Sequence, residues 1–182
     1  YWIAQQGVVL MFGAEKDSDS LSAAACRGAK RAGGLTVGVT YGKGLEVYER
    51  DVDVVIATGL ERGGGRELAL VLSCDAVIAI GGGSGSLNEI TVAYQAGIPI
   101  VALANSGGWA EKLAGTYLDE RQRMRILVAT TPDEAVRLSI RLARRTLFVG
   151  AVHGNEPIGV RTLEQLQQEG VIAPDDWMIG NP

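Results

Sequence analysis

Seven short apolar runs, spaced along most of the chain and separated by stretches of helical periodicity, constrain the fold more than any other feature. They are "GVVLMF" (7–12), "LTVGV" (35–39), "DVVIA" (53–57), "DAVIAI" (75–80), "IPIVAL" (98–103), "RILVA" (125–129) and "TLFVGAV" (146–152). A strand apolar along its whole length belongs to a parallel sheet covered on both faces, because a half-exposed strand alternates instead. Between the runs, Leu21, Ala24, Ala25, Gly28, Ala29 and Ala32 recur at helical spacing, as do Ala135, Leu138 and Leu142. Repeated βαβ units predict an α/β, Rossmann-like doubly wound parallel sheet with right-handed crossovers. The segment "TPDE" (131–134) reads as a helix start, with Thr131 as N-cap, Pro132 at the first helical position and Glu134 closing a capping box. Residues 105–124 break the alternation with a glycine pair and a tryptophan, and are expected to form a loop over the sheet edge.

Composition narrows the partners. Across 182 residues, 17 basic and 21 acidic side chains leave a formal charge of −4, so no overall basic field attracts nucleic acid. Cys26 and Cys74 each sit inside an apolar helical pattern, which predicts buried free thiols and a cytoplasmic setting. No apolar run approaches the roughly 18 residues a membrane span needs. The chain opens on Tyr1 and closes on Asn181 and Pro182, which reads as a segment of a longer protein.

The run "AIGGGSGSLNEI" (79–90) follows one of the predicted strands. In an open α/β sheet, ligands collect beyond the carboxyl ends of the strands, where this loop lies. Gly81, Gly82, Gly83 and Gly85, with Ser84 and Ser86 between and after them, let backbone N–H groups approach an anion at a helix N-terminus. Ser86 and Glu89 also have the S-x-x-E spacing of a capping box, which needs no ligand. Both readings stand on composition, and the two jobs are compatible. One unit earlier, "ERGGGRELALVLSCD" (61–75) places Arg66 behind another glycine cluster, either as a phosphate-binding fork or as a solvated surface residue.

The stretch "RELALVLSCDAVIAIGGGSGSLNEI" resembles the nucleotide-binding core of the Lonely Guy superfamily, once widely labelled lysine decarboxylase. The resemblance spans about residues 7 to 145. It implies Arg66 and Glu89 as catalytic residues, Gly82, Gly83, Gly85 and Ser86 as a phosphate loop, a homodimer, and hydrolysis of nucleoside 5′-monophosphates to free base and ribose 5-phosphate. This chain carries Gly81 where that family has proline, Ser86 for threonine and Glu67 for a lysine. "NSGGWAEKL" (105–113) and "AKRAGGLTVGV" (29–39) are closer to the molybdenum cofactor carrier-like, DNA-processing-protein-related branch. That resemblance implies a binding module for a phosphorylated small ligand, a nucleotide or a molybdopterin-type cofactor, held without turnover.

A different pattern begins near residue 146. "HGNEPIG" (153–159) has the H-x-x-E spacing that places imidazole and carboxylate on one metal. It resembles the zinc signature of the succinylglutamate desuccinylase and aspartoacylase family, related to zinc carboxypeptidases. The resemblance implies His153 and Glu156 as two zinc ligands of an incomplete site, in the truncated start of a second α/β domain over 146–182. The expected organisation is therefore a Rossmann-like domain over 1–145 and this fragment after it, with zinc bound only if the second domain is complete.

Overall fold

In the computed structural model the described residues are 1–143 together with the strand residues 148–150 and 177–179. The chain divides into two units, Tyr1–Ala143 and Arg144–Pro182. In the first unit the elements run α1 (Trp2–Gln5), β1 (Leu10–Gly13), α2 (Leu21–Arg31), β2 (Thr36–Thr40), β3 (Val54–Ala57), α3 (Gly65–Leu72), β4 (Val77–Ala79), α4 (Ser84–Ala96), β5 (Ile100–Leu103), α5 (Gly108–Leu113), β6 (Leu127–Ala129) and α6 (Pro132–Leu142). All strand pairs are parallel, in two three-stranded orders, β1-β2-β3 and β4-β5-β6. Among the described residues these are two separate parallel sheets in a Rossmann-like α/β arrangement. Six of the seven apolar runs supply these strands. The seventh supplies β7 (Phe148–Gly150) in the second unit, which pairs in parallel with β8 (Trp177–Ile179), a strand absent from the sequence reading.

The core explains the parallel arrangement. Ile100, Val101 and Ala102 of β5 are all fully buried, so both faces of that strand are covered. On one face, Val71 of α3 and Ile90, Ala93 and Tyr94 of α4 pack with Ala79, Ile100 and Ala102. On the other, Ala135 and Leu138 of α6 pack on Val101 and Ala129. Leu10, Phe12, Cys26 and Ala29 form a separate cluster between β1 and α2.

Local chemistry moves several boundaries. The first apolar run begins as a strand only at Leu10, because Gly7 ends α1 in the left-handed region at φ 70° and Val8 donates back to the Ile3 carbonyl. Such a helix stop keeps Val8 and Val9 exposed. In α2 the buried positions are Ala23, Cys26, Gly28 and Ala29, while Leu21 and Ala24 face outward. With so many alanines, periodicity defines the helix but not its inward face. In α6, Leu142 is likewise exposed, although Ala135 is buried. Thr131 caps that helix as expected, but the Glu134 carboxylate reaches past it to the Thr130 N–H and hydroxyl. Residues 105–124 are not a plain loop, because α5 lies within them. Cys74 is only half-buried, whereas Cys26 is sealed in the core. No helix among the described residues is long and apolar enough to cross a membrane.

One polar clamp registers β3 on β2. The Asp53 carboxylate accepts from the Thr36 N–H and hydroxyl, each at 2.8 Å, and from the Lys30 ammonium, while Thr36 Oγ1 accepts from the Asp53 N–H. Lys30, then Thr36, hold the Asp53 pKa down at about 2. A carboxylate depressed in the folded state stabilises above its unfolded pKa, about 3.9 for aspartate, and that contribution is lost as pH falls through the folded value. Unfolding titrations should therefore show wild type above Asp53→Asn at neutral pH. The gap should narrow between pH about 4 and about 2.

Candidate functional site

The glycine run emerges from the carboxyl end of β4, and its shape is set by a second loop. Ser106, three residues beyond Leu103 at the end of β5, accepts from the Gly81 N–H at 2.9 Å and donates to the Leu103 carbonyl at 2.7 Å. The Gly82 and Gly81 carbonyls accept from the N–H groups of Trp109 and Ala110, both at 3.0 Å. The first turn of α5 thus consumes the carbonyls of the glycine run. Gly108 makes this possible: at φ 59°, a β-carbon there would lie 2.6 Å from the Gly81 carbonyl carbon and 2.7 Å from the Gly82 nitrogen. Gly82, at φ 89°, lies directly under the Ser86 side chain. A β-carbon at Gly81 would lie 3.7 Å from Leu21 Cδ1, so the start of α2 lies beside the loop after β4.

This arrangement corrects the capping-box reading. Helix α4 begins at Ser84 with Gly83 as its N-cap, and no side chain among the described residues caps it. Ser86 is the third helical residue and Glu89 lies in the second turn, so neither closes the helix end. The staple to α5 starts the helix early, and Gly83 contributes no cap of its own. Gly83, Ser84 and Gly85 are exposed, and the space beside Gly83 and Gly85 is open. The first-turn N–H groups of a long helix are left without an internal partner, and the helix dipole adds positive potential there.

Arg66 is not the solvated residue of the bland alternative, nor an open phosphate fork. Its side chain is 5% exposed, and Nη2 pairs with Glu67 at 3.0 Å and Glu15 at 3.4 Å. Its second terminal nitrogen, Nη1, packs over Gly13, where no β-carbon fits. Arg62 reaches the second oxygen of Glu15 at 3.4 Å. Burial pulls Glu67 upward, but the N–H groups of Glu67 itself, Gly63 and Gly64, together with Arg66, outweigh it and leave the group below its ordinary value. For Glu89 the balance goes the other way. Burial pushes its carboxyl up against the pull of Arg66, and Glu67 and Glu15 add to the rise. A carboxyl in that state is suited to holding or donating a proton.

Of the residues read from sequence, Gly81 to Ser86 form one turn, and Arg66 and Glu89 share one electrostatic neighbourhood. Glu15, Leu21 and Ser106 were missed. The signal available for Ser106 and Gly108 was the second glycine pair after a strand, in "NSGGW". Glu15 carried none, because a single carboxylate after a strand is common. His153 and Glu156 lie outside the described residues. Among the described residues, no group of three or more histidines, cysteines, aspartates or glutamates could hold a metal.

Residues 1–136 match the model of the SLOG cluster4 family. The chain belongs to the SLOG cluster4 family. Three solved structures share the fold. A structural-genomics target solved by X-ray crystallography is 29% identical at a TM-score of 0.68, covering 76% of this chain and 81% of that one. The molybdenum cofactor binding protein of the phototrophic bacterium Rippkaea orientalis is 30% identical at 0.64, over 76% and 80%. The molybdenum cofactor carrier protein of Chlamydomonas reinhardtii is 30% identical at 0.60, over 78% and 81%. An uncharacterized protein of Archaeoglobus fulgidus is 35% identical over 101 residues, 56% of this chain; the match spans 63% of that relative's length. These matches support the carrier-like branch of the resemblance for the Rossmann-like part. The zinc-hydrolase reading of 146–182 draws no support from them.

For this SLOG member the α5 staple gives a direct expectation. Gly108→Ala forces a β-carbon into the Gly81–Gly82 backbone at a positive φ. Denaturant unfolding should show a loss of about 1–3 kcal/mol, the range for strained backbone positions.

Proposed function

We propose that the chain binds a phosphorylated small ligand, a nucleotide or a molybdopterin-type cofactor, on the backbone of residues 81–86. The observation that carries this is the uncapped start of α4, exposed at the carboxyl edge of β4 and held in shape from α5. Gly81, Gly82, Gly83, Ser84, Gly85 and Ser86 form the cradle. The two neighbours whose names state molybdenum cofactor binding support the cofactor class. The sealed ion pairs of Arg66 favour holding the ligand over attacking it. Two free cysteines, one fully buried, fit a reducing cytoplasm, and a homodimer is part of the proposal.

Gly83→Asp is the decisive variant. An aspartate at an N-cap satisfies the first-turn N–H groups itself and is about as favourable there as glycine or better, by a few tenths of a kcal/mol. Native mass spectrometry of protein purified without added ligand should show a nucleotide or pterin adduct in wild type and none in Gly83→Asp. Thermal unfolding of the two unliganded proteins should agree closely. An adduct retained by the variant would remove residues 81–86 from the site.

The second reading is a nucleoside 5′-monophosphate phosphoribohydrolase with Glu89 and Arg66 at its centre. The raised carboxyl of Glu89 favours it. Release of adenine from AMP, abolished by Glu89→Gln, would establish it; absence of turnover leaves the carrier reading. For the tail, His153 and Glu156 as zinc ligands of a fused N-acyl amino acid amidohydrolase is a proposal from motif alone. Metal analysis of the full chain beside His153→Ala tests it, and equal zinc in both would end it.

A further inference from the structure

Glu15, Glu67 and Glu89 share one neighbourhood with Arg66, across the loop after β1, the start of α3 and the second turn of α4. Arg62 adds a second cation on the outer oxygen of Glu15. Three carboxylates to two guanidiniums leave an acidic surplus, and Glu89 lies about one helical turn beyond Ser86 on α4. A second phosphate placed on Arg66 would meet the carboxylates already paired with the same nitrogen. A separate observation completes the picture. The Nε–H of Arg66, in a side chain 5% exposed, has no acceptor among the described residues. A buried donor left unpaired carries its full desolvation penalty, so a partner that arrives with a ligand would relieve it.

We propose that this cluster reads the end of the ligand opposite its phosphate, and that this end is a planar O=C–N–H edge flanked by an amino group. Guanine and pterin rings both carry such an edge. The ring carbonyl accepts from Arg66 Nε–H, and the ring N–H and amino group donate to Glu15 and Glu89. Glu15 is the carboxylate that yields to admit the ring, since its side chain is 16% exposed against 3% for Glu67. This inference rests on the reading that residues 81–86 hold the phosphate.

The test is calorimetric titration of the full chain with GMP, AMP and inorganic phosphate. GMP and AMP share ribose and phosphate, and only GMP offers the O=C–N–H edge with its amino group. Wild type should bind GMP at least about tenfold more tightly than AMP, the scale of one good two-point contact. Glu15→Gln and Glu89→Gln should bring the two nucleotides within about twofold of each other while inorganic phosphate binds as before. Equal binding of GMP and AMP by wild type overturns the inference, as does a preference that survives both substitutions. The wild-type comparison decides even where a variant fails to fold. Phosphate binding that disappears in Gly83→Asp, with no preference for GMP, removes this inference and leaves the phosphate loop standing. Phosphate binding unaffected by Gly83→Asp, or binding of none of the three probes, removes both.

Discussion

The geometry of this chain turns on two backbone hydrogen bonds, from Trp109 and Ala110 to the carbonyls of Gly82 and Gly81. They fix a run of glycines that has no side chains with which to fix itself. A glycine loses more conformational freedom on ordering than any other residue, so a loop of this composition needs external partners to hold one shape. Here the partners come from the first turn of α5, after the next strand, and they bind the carbonyl side. The N–H side is left facing out at the start of α4. That division lets one loop be both rigid and open to an anion.

The same economy shapes the electrostatics. Arg66 is buried, and burial of a guanidinium is tolerated only with paired charge. Glu67 supplies that pairing from the next residue on α3, with its second oxygen anchored by the Gly63 N–H at 2.9 Å. Glu15 supplies the rest from the end of β1. The arginine therefore ties the loop after β1 to α3 through charge, where no strand ladder joins β1 and β4 among the described residues. Glu89 is the member of the group with no ion pair among the described residues, and burial displaces its carboxyl upward.

How much of this was readable in the residues depends on the distance over which each feature is decided. The six strands of the first unit were legible as all-apolar runs, although β3 leaves Val54 and Ile56 exposed, whereas α5 and β8 were not legible. Nor was the helix start at Ser84. The S-x-x-E pattern of Ser86 and Glu89 is a local rule, and it lost to a constraint imposed from Ser106 to Ala110. The inward face of α2 was also hidden, because alanine buries equally well in either orientation and the choice fell to Cys26 and the cluster around Phe12. Arg66 and Glu89 were named by their motif, but Glu15, their shared neighbour, comes from the loop after β1, 51 residues before Arg66. Resemblance supplied the identities, and only packing supplied the company they keep.

The hydrogen bond between Gly81 and Ser106 spans 25 residues of chain. During synthesis the glycine run leaves the ribosome well before the segment that locks it, so for that interval the loop is a mobile, unformed turn on a half-built sheet. The turn after β4 thus takes its final shape only once β5 and the first turn of α5 have been made, so its order depends on chain that it precedes.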